Sequence, residues 1–255
     1  MGYTLAMKAL VVGNWKMNPP TFREAKLLFE ATKKAADGAK GVSVVVAPPS
    51  IYIRELSKGY RGKIAFAVQN ANAGMEGAHT GEISFAMAKD AHVEYGIVGH
   101  AERRAMGETN EDTKLKVKTA LAVGITPILC VGETSRTQSG AHFQFVREQL
   151  RLGLSEVTAP SLKRVVIAYE PVWAIGASTA MSPRDMHEMS IFIRKSVVES
   201  HGEAAHALKI LYGGSIDSTN APTMLKEGDV HGLLVGRASA DASHVRALLQ
   251  AIGEA

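Results

Sequence analysis

Short runs of apolar residues recur along the chain at regular intervals. They consist mostly of Val, Ile, Leu and Ala and do not alternate with polar residues, which is typical of strands that are covered on both faces. The runs that we predict as strands are 10–12, 42–46, 64–68, 95–98, 127–131, 165–168, 209–212 and 232–235.

Longer, charged segments with a helical period separate these runs. Capping residues, acids in the first turn or a proline at the first position mark where several of them begin. The predicted helices are 21–36, 109–123, 182–200, 217–226 and 241–252, the last two opening on Asp217 and Asp241. The positions that share one face of the first helix are Phe22, Ala25, Leu28, Phe29 and Thr32.

Strand and helix alternate about eight times within 255 residues. This alternation predicts an α/β fold, namely a closed (β/α)8 barrel of the TIM-barrel type. Because no linker-like stretch divides the chain, we expect a single domain over residues 1–255.

The charge balance points to a small anionic partner. Lys+Arg number 29 against 25 Asp+Glu, a net charge of +4, and the basic residues are spread along the chain. Nucleic-acid binding is disfavoured because aromatic residues make up only 6% and no basic stripe is present. An anionic small-molecule substrate fits this composition better.

Cysteine and histidine usage disfavours metal sites. Cys130 is the single cysteine, which excludes an intramolecular disulfide and a cysteine metal site, and the histidines lack ligand spacing that a second motif supports. The first residues lack the features of a signal peptide, and no apolar run reaches the ~18 residues of a membrane span. We therefore expect a cytoplasmic protein without a metal.

In a barrel of this kind, the residues that follow each strand converge on one face. That rule brings together Asn14 and Lys16 after the first strand, His100 after the fourth, Glu170 after the sixth, Gly213-Gly214-Ser215 after the seventh and Gly236-Arg237 after the eighth. An ammonium, an imidazole, a carboxylate and two glycine-containing turns would share one pocket.

These groups suit proton transfer beside the carbonyl of a phosphorylated substrate. Pro171 favours an extended Glu170, which would remove a carbon-bound proton, although a solvated loop glutamate is the alternative for this segment alone. His100 would donate to the carbonyl oxygen, while Lys16 and Asn14 would stabilise the enediolate. The backbone N–H groups of the two turns would hold a phosphate.

Several motifs together resemble the triosephosphate isomerase family over essentially the whole chain. They are NWKMN at 14–18, QN at 69–70, TGE at 80–82, GHAERR at 99–104, CVGE at 130–133, EPVWAIG at 170–176, YGGS at 212–215 and LVG at 234–236. The resemblance implies interconversion of dihydroxyacetone phosphate and glyceraldehyde 3-phosphate without metal or organic cofactor. It also implies that Glu170 is the base and His100 a neutral electrophile, with Lys16 and Asn14 on the substrate.

The resemblance assigns further roles by position. Gly176, Ser215, Gly236 and the backbone of Arg237 would bind the phosphate, Glu102 would be a supporting acid near Lys16, Arg103 would pair with Glu82, and Cys130 would be a core residue. Residues 171–181 would form a lid, with Pro171, Val172 and Trp173 at its first hinge and Thr179, Ala180 and Met181 towards its second. The loop 69–80 would insert its tip, Thr80, into a second subunit of a homodimer.

The sequence departs from the family pattern in three places. Ala101 stands where the family usually has a serine that holds the glutamate, residues 177–181 replace the usual lid tip, and Arg237 replaces a common second glycine. We expect Arg237 to strengthen anion attraction modestly.

Two alternatives to this function remain open from the sequence. One is an isomerase of a related ketose phosphate, such as a tetrulose phosphate, which the lid tip and Ala101 suggest. The other is a non-catalytic phosphate-binding barrel, which the intact Asn14, Lys16, His100 and Glu170 argue against.

Overall fold

A computed structural model describes residues 8–136, 140–175 and 180–254. Eight parallel strands hydrogen-bond in sequence order, and β1 pairs with β8 to close the barrel. The strands are β1 (Ala9–Asn14), β2 (Val42–Ala47), β3 (Ala65–Val68), β4 (Tyr95–Val98), β5 (Thr126–Val131), β6 (Val166–Tyr169), β7 (Lys209–Tyr212) and β8 (Gly232–Val235). The predicted (β/α)8 barrel is confirmed, with each strand boundary within two residues of its predicted place.

Helices surround the strands and cover their outer face. Within the described residues they are α1 (Phe22–Gly38), α2 (Ser50–Ser57), α3 (Phe85–Asp90), α4 (Ala101–Ala105), α5 (Asn110–Ala122), α6 (Ala141–Gly153), α7 (Ala159–Leu162), α8 (Pro183–His201), α9 (Ala221–Glu227) and α10 (Ala242–Gly253). These elements span residues 9–253, and the single domain over 1–255 stays a prediction.

The two faces of the strands bury different layers of side chains. Alternate residues, such as Leu10, Val12 and Ile128, fill the barrel interior in one cluster, and the residues between them pack against the helices in a larger cluster. Both layers are apolar, which explains why the strand sequences do not alternate. The filled interior leaves the carboxyl ends of the strands as the place for a site.

Local capping sets most of the predicted helix starts. Thr109 and Asp112 form a reciprocal capping box at the start of α5, and the side chains of Ser182 and Asp241 accept backbone N–H groups at the starts of α8 and α10. The predicted start of α9 at Asp217 is wrong. The Asp217 carboxylate instead closes a turn with Thr219, and the helix begins four residues later.

The fold adds two further observations. Phe22, on the predicted apolar face of α1, is 39% exposed, and its ring lies 5.9 Å from that of Tyr52. None of the helices in the described part of the chain is long and apolar enough to span a membrane. The compartment stays a prediction.

Candidate active site

A cavity of about 640 Å³ opens at the carboxyl ends of the strands. Side chains that follow β1, β4 and β6 line one end, which we call the reaction end and define as Asn14, Lys16, His100 and Glu170. The turns after β7 and β8 line the other end, which we call the phosphate end and define as Ser215, Gly236 and Arg237. The convergence predicted from the sequence therefore occurs in one cavity.

Lys16 is held in an uncommon backbone conformation. Its φ of 54° lies in the left-handed region, which costs a residue with a side chain on the order of 1–3 kcal/mol. Two hydrogen bonds hold it there, because its N–H donates to Oδ1 of the buried Asn14 at 3.0 Å and its carbonyl accepts Nε2 of Gln69 at 2.8 Å. This conformation carries the lysine side chain into the cavity.

The Lys16 ammonium has a carboxylate partner at the reaction end. Nζ of Lys16 lies 2.5 Å from Oε1 of Glu102, the second residue of α4. The two side chains are 31% and 50% exposed, so the pair is reached by water and by a ligand. Glu102 thus lies next to Lys16, where the resemblance expects a supporting acid.

Hydrogen bonding defines the tautomer of His100. The ring caps the short helix α4, and its Nδ1 accepts the backbone N–H of Glu102 at 3.2 Å. A nitrogen that accepts this bond carries no proton, so we assign the neutral ring with its proton on Nε2. Nε2 lies 3.1 Å from Oε1 of Glu170, which places a donor beside the carboxylate.

Glu170 is 2% exposed, and both of its carboxylate oxygens have partners. Oε1 faces His100, and Oε2 accepts the backbone N–H of Ala101 at 2.9 Å. A Cβ atom on Gly213 would lie 2.9 Å from Cγ of Glu170, so a glycine leaves the room that this side chain occupies. The missing serine hydroxyl at position 101 leaves the carboxylate held by the backbone N–H.

Cys130 lies beneath the glutamate in the barrel interior and is fully buried. Burial raises the pKa of its thiol well above the ordinary value, and the neighbouring Glu170 carboxylate raises it further. The thiol is therefore protonated at neutral pH. Its position agrees with the predicted core residue.

The phosphate end presents backbone donors. The N–H groups of Ser215, Gly236 and Arg237 donate no hydrogen bond to any residue in the described ranges. Such N–H groups on adjacent turns form a natural site for an anion. Gly176, the fourth residue predicted at this end, lies outside the described residues.

The first hinge of the predicted lid is tied to a buried carboxylate. Glu133 is 2% exposed and accepts hydrogen bonds from Nε1 of Trp173 at 2.8 Å, from the Tyr169 hydroxyl at 2.9 Å and from Nε of Arg136 at 3.1 Å. The Glu133 carbonyl also accepts the N–H of Val172 at 2.9 Å. Burial and the Glu133 charge raise the pKa of Tyr169, so its hydroxyl stays a donor.

The far end of the predicted lid is tied to β7. Met181 is buried, and its N–H donates to the Tyr212 hydroxyl at 3.2 Å. Burial raises the pKa of Tyr212 to about 12. Pro171 is buried and Ala180 half-buried, whereas Thr179 and the rest of the tip at 176–179 lie outside the described residues.

The expected pair between Arg103 and Glu82 does not form within this chain. Arg103 instead lies nearest to Glu108, with Nε and Oε2 3.9 Å apart. Glu108 is almost fully buried and also binds Nζ of Lys116 at 2.9 Å, and the same ammonium holds Oδ1 of Asn70 at 2.8 Å. The buried Glu108 carboxylate thus lies near both Arg103 and Lys116. The spacing of these residues along the sequence does not predict this arrangement.

A second cavity of about 360 Å³ adjoins the reaction end from the outside. Asn14 and Lys16 line it together with Met17 and Met106, whose side chains are 93% and 75% exposed. Thr80, the predicted loop tip, is exposed. Two large apolar side chains beside the reacting groups are thus exposed in the single chain.

Reasoning from single residues missed three groups that shape the site. Gln69, Glu133 and Tyr212 all lie in motifs of the resemblance, but the sequence assigns none of their side chains a role in the site. The sequence signal available for each was a polar group at the end of a predicted strand. In the part of the chain that the structure describes, no three His, Cys, Asp or Glu side chains are grouped as metal ligands would be.

Comparison with known proteins identifies the family. The family model described as Triosephosphate isomerase matches residues 9–252. The triosephosphate isomerase of Endomicrobium trichonymphae is 41% identical over 246 residues, covering 95% of this chain and 98% of that protein. That of Hydrogenovibrio crunogenus is 42% identical over 249 residues, covering 96% and 98%. With its barrel closed and its converging residues in one cavity, the chain belongs to the triosephosphate isomerase family.

Proposed function

We propose that Glu170 is the base and His100 the acid through which this isomerase interconverts dihydroxyacetone phosphate and glyceraldehyde 3-phosphate. The observation that carries the proposal is the contact between the two groups, in which Nε2 of His100 lies 3.1 Å from Oε1 of Glu170 at the reaction end of the cavity. A proton donor and a proton acceptor are then available to neighbouring atoms of one substrate.

Glu170 and His100 together carry every proton that the isomerisation moves. Glu170 takes a proton from the carbon beside the carbonyl, and the electron pair moves to the carbonyl oxygen to form an enediolate. His100 donates its Nε2 proton to that oxygen and regains one from the neighbouring hydroxyl. Glu170 then returns its proton to the former carbonyl carbon, which isomerises the substrate and restores both residues to their starting protonation states.

Lys16 and Asn14 support the charge that develops on the substrate oxygens. The ammonium is already oriented by Glu102 at 2.5 Å, so little reorganisation is needed when the enediolate forms. At the other end of the cavity, the phosphate accepts hydrogen bonds from the N–H groups of Ser215, Gly236 and Arg237, which have no acceptor among the described residues. Substrate binding at one end thereby fixes the reacting carbons at the other.

The lid proposal concerns residues 171–181. Trp173 and Met181 are anchored to Glu133 and Tyr212, and the segment between them would close over the cavity and exclude water. Closure would protect the enediolate from losing its phosphate. Gly176 would complete the phosphate site from this segment.

The function is tested with purified protein and two substrate classes. We expect turnover of glyceraldehyde 3-phosphate, whereas Glu170→Gln should lower kcat by about 10²–10⁴-fold because its amide takes no proton at working pH. Nothing in the comparisons favours the tetrulose phosphate alternative, and preferential turnover of erythrulose phosphates would support it. No turnover of either by folded protein would support the non-catalytic barrel.

Histidine protonation can be tested separately. The hydrogen bond from Glu102 to Nδ1 implies a neutral His100 in the resting enzyme. Nitrogen NMR of the labelled ring at pH 7 should report one protonated nitrogen, Nε2. Detection of an imidazolium would contradict the assignment.

We also propose that two copies of this chain form a homodimer. The second cavity opens beside Asn14 and Lys16 and is bordered by exposed Met17 and Met106, and the tip of a partner's 69–80 loop would enter it. A surface that leaves large apolar side chains open is typical of a protein interface. Insertion of Thr80 would shield Lys16 from solvent.

The oligomeric state is tested by Thr80→Arg. We expect a shift from dimer to monomer in sedimentation and a large loss of activity, because the added guanidinium would be buried close to the Lys16 ammonium, a like charge. Gln250→Arg, an equal charge change on exposed α10, should stay dimeric and active. Fully active monomers on dilution of the wild type would contradict the proposal.

A further inference from the structure

We propose that the Arg237 side chain is a specificity-determining residue of this isomerase, whose guanidinium group binds the substrate phosphate at the rim of the cavity. The proposal rests on the proposed function and extends it, because only the backbone of this residue has a role there. It follows from the position of the side chain and from how the other charges of the cavity are satisfied.

Arg237 follows the turn that brings the two ends of the cavity together. A Cβ atom on Gly236 would lie 3.3 Å from Cε of Lys16, so this turn contacts the stem of the lysine. Arg237 is the next residue along the chain, lines the same cavity and is exposed. Its side chain is therefore open both to solvent and to a ligand in this cavity.

The other cation of the cavity already has a partner, since Lys16 is paired with Glu102. Two carboxylates, Asp217 and Asp241, also line this cavity. Each accepts backbone N–H and hydroxyl groups of its own turn, and these hydrogen bonds lower the pKa of both, so the two groups stay ionised and neither forms an ion pair with Arg237. Asp241 also lies 3.6 Å from the ring of His244, a further residue of this rim.

Arg237 differs from these groups because its guanidinium has no ion pair or hydrogen bond among the described residues. A solvated guanidinium has a low free energy without a protein partner. Its planar group of N–H donors can bind two phosphate oxygens at once. Its exposure also lets it attract a dianion before contact, an effect that salt screens. The positive charge of Arg237 would raise the affinity for the phosphate and the rate at which the substrate reaches the cavity. It would leave the proton transfers at the other end of the cavity unchanged.

The test compares Arg237→Gln with Arg246→Gln, which removes the same charge from an exposed position of α10 outside the cavity. We expect R237Q to raise KM for glyceraldehyde 3-phosphate and Kd for inorganic phosphate by about three- to fivefold at low ionic strength. The difference should vanish at about 0.5 M salt, and R246Q should match the wild type. Arg237→Lys, which keeps the charge but not the planar fork, should have a phosphate affinity between those of R237Q and the wild type.

A substrate without phosphate separates binding from structural damage. The slow turnover of glyceraldehyde should be the same in R237Q and wild type, because no phosphate is present to lose a partner. Equal phosphate affinity in R237Q, R246Q and wild type would overturn the proposal, as would a loss that salt does not reduce or that extends to glyceraldehyde. Absence of triose phosphate turnover in the wild type would instead contradict the proposed function, and phosphate binding would still test Arg237.

Discussion

The two ends of the cavity differ in how their polar groups are satisfied. At the reaction end the protein supplies a partner for each charge, since Lys16 is paired with Glu102 and Glu170 is held by His100 and Ala101. At the phosphate end the backbone N–H groups of Ser215 and Gly236 have no acceptor among the described residues. One end is organised before substrate binds, and the other is completed by the ligand.

This difference follows from what each end must do. Groups that stabilise a developing charge are most effective when their orientation is fixed in advance, which requires protein partners. Groups that bind a permanent charge can remain solvated and exchange water for phosphate oxygens. We expect substitutions at the reaction end to act mainly on kcat and those at the phosphate end mainly on KM.

The largest expected effect is that of Lys16→Met. It removes the ammonium of the reaction end and leaves Glu102 without its partner, so kcat/KM should fall by about 10²–10³-fold. Lys26→Met, on an exposed position of α1, is the matched control and should be neutral. Adding Glu102→Gln to K16M should cost little more if Glu102 acts through Lys16, and an additive loss would contradict that coupling.

A second prediction concerns Glu133, the buried carboxylate that holds the first hinge of the predicted lid. Glu133→Ala leaves the Tyr169 hydroxyl, the Trp173 indole and Arg136 without their shared buried acceptor, and should lower the free energy of unfolding by about 3 kcal/mol. Urea denaturation measures this change. Glu148→Ala, which breaks an exposed pair with Arg151, should leave stability unchanged. If the Glu133→Ala and Glu148→Ala variants were equally stable, the hydrogen bonds to Glu133 would not contribute to the stability of the fold.

A smaller effect is expected from Gly236→Ala at the phosphate end. Its Cβ would lie 3.3 Å from Cε of Lys16, so the lysine must shift by a few tenths of an ångström, and kcat/KM should fall by about tenfold. Gly38→Ala, where a Cβ meets no atom within 4 Å, is the control. If G236A left both KM and kcat unchanged, the two ends would be less tightly coupled than their contact implies.

The smallest effect is a pH dependence at the far end of the lid. Because the pKa of Tyr212 is raised to about 12, the unfolded chain loses this proton first, and the stability that the hydroxyl contributes is lost as pH rises from about 10 towards 12. Tyr212→Phe should cost about 1 kcal/mol at pH 8, where the bond from Met181 is lost. At pH 11 the free energy of unfolding of the wild type should be lower by about 1.4 kcal/mol than at pH 8, whereas that of Y212F keeps this contribution. The variant should then be the more stable of the two. A difference in the free energy of unfolding between the two proteins that does not change with pH would contradict the raised pKa.

Most of the barrel could be predicted from local patterns. Unbroken apolar runs locate all eight strands because both faces of each strand are buried, and a capping box locates the start of α5. The short helices α2, α3, α4 and α7 are not among the predicted helices because they contain too few residues for a period to be recognised. The helix α6 is also absent from them although it has 13 residues, because Gly140 precedes it without a side-chain cap. Asp217 was misread because a side chain that caps a helix also closes a turn.

The members of the site were predictable, but their partners were not. Strand order alone brings Lys16, His100 and Glu170 to one face of the barrel. The backbone N–H of Ala101 as a holder of Glu170, and Glu108 as the partner of Arg103, depend on the distance between side chains of different elements. No spacing along the chain encodes such a distance.

By itself, the sequence determined the fold, the family and the residues that meet at the site, because apolar periodicity and strand order are local properties that repeat around the barrel. The tertiary structure alone decided which of those groups are satisfied. Ala101 and Glu170 are 69 positions apart along the chain, yet they are joined by a hydrogen bond of 2.9 Å. Arg237, by contrast, faces the cavity without a partner among the described residues. Whether a charge is paired depends on three-dimensional distance and burial, and these exist only once the barrel has closed.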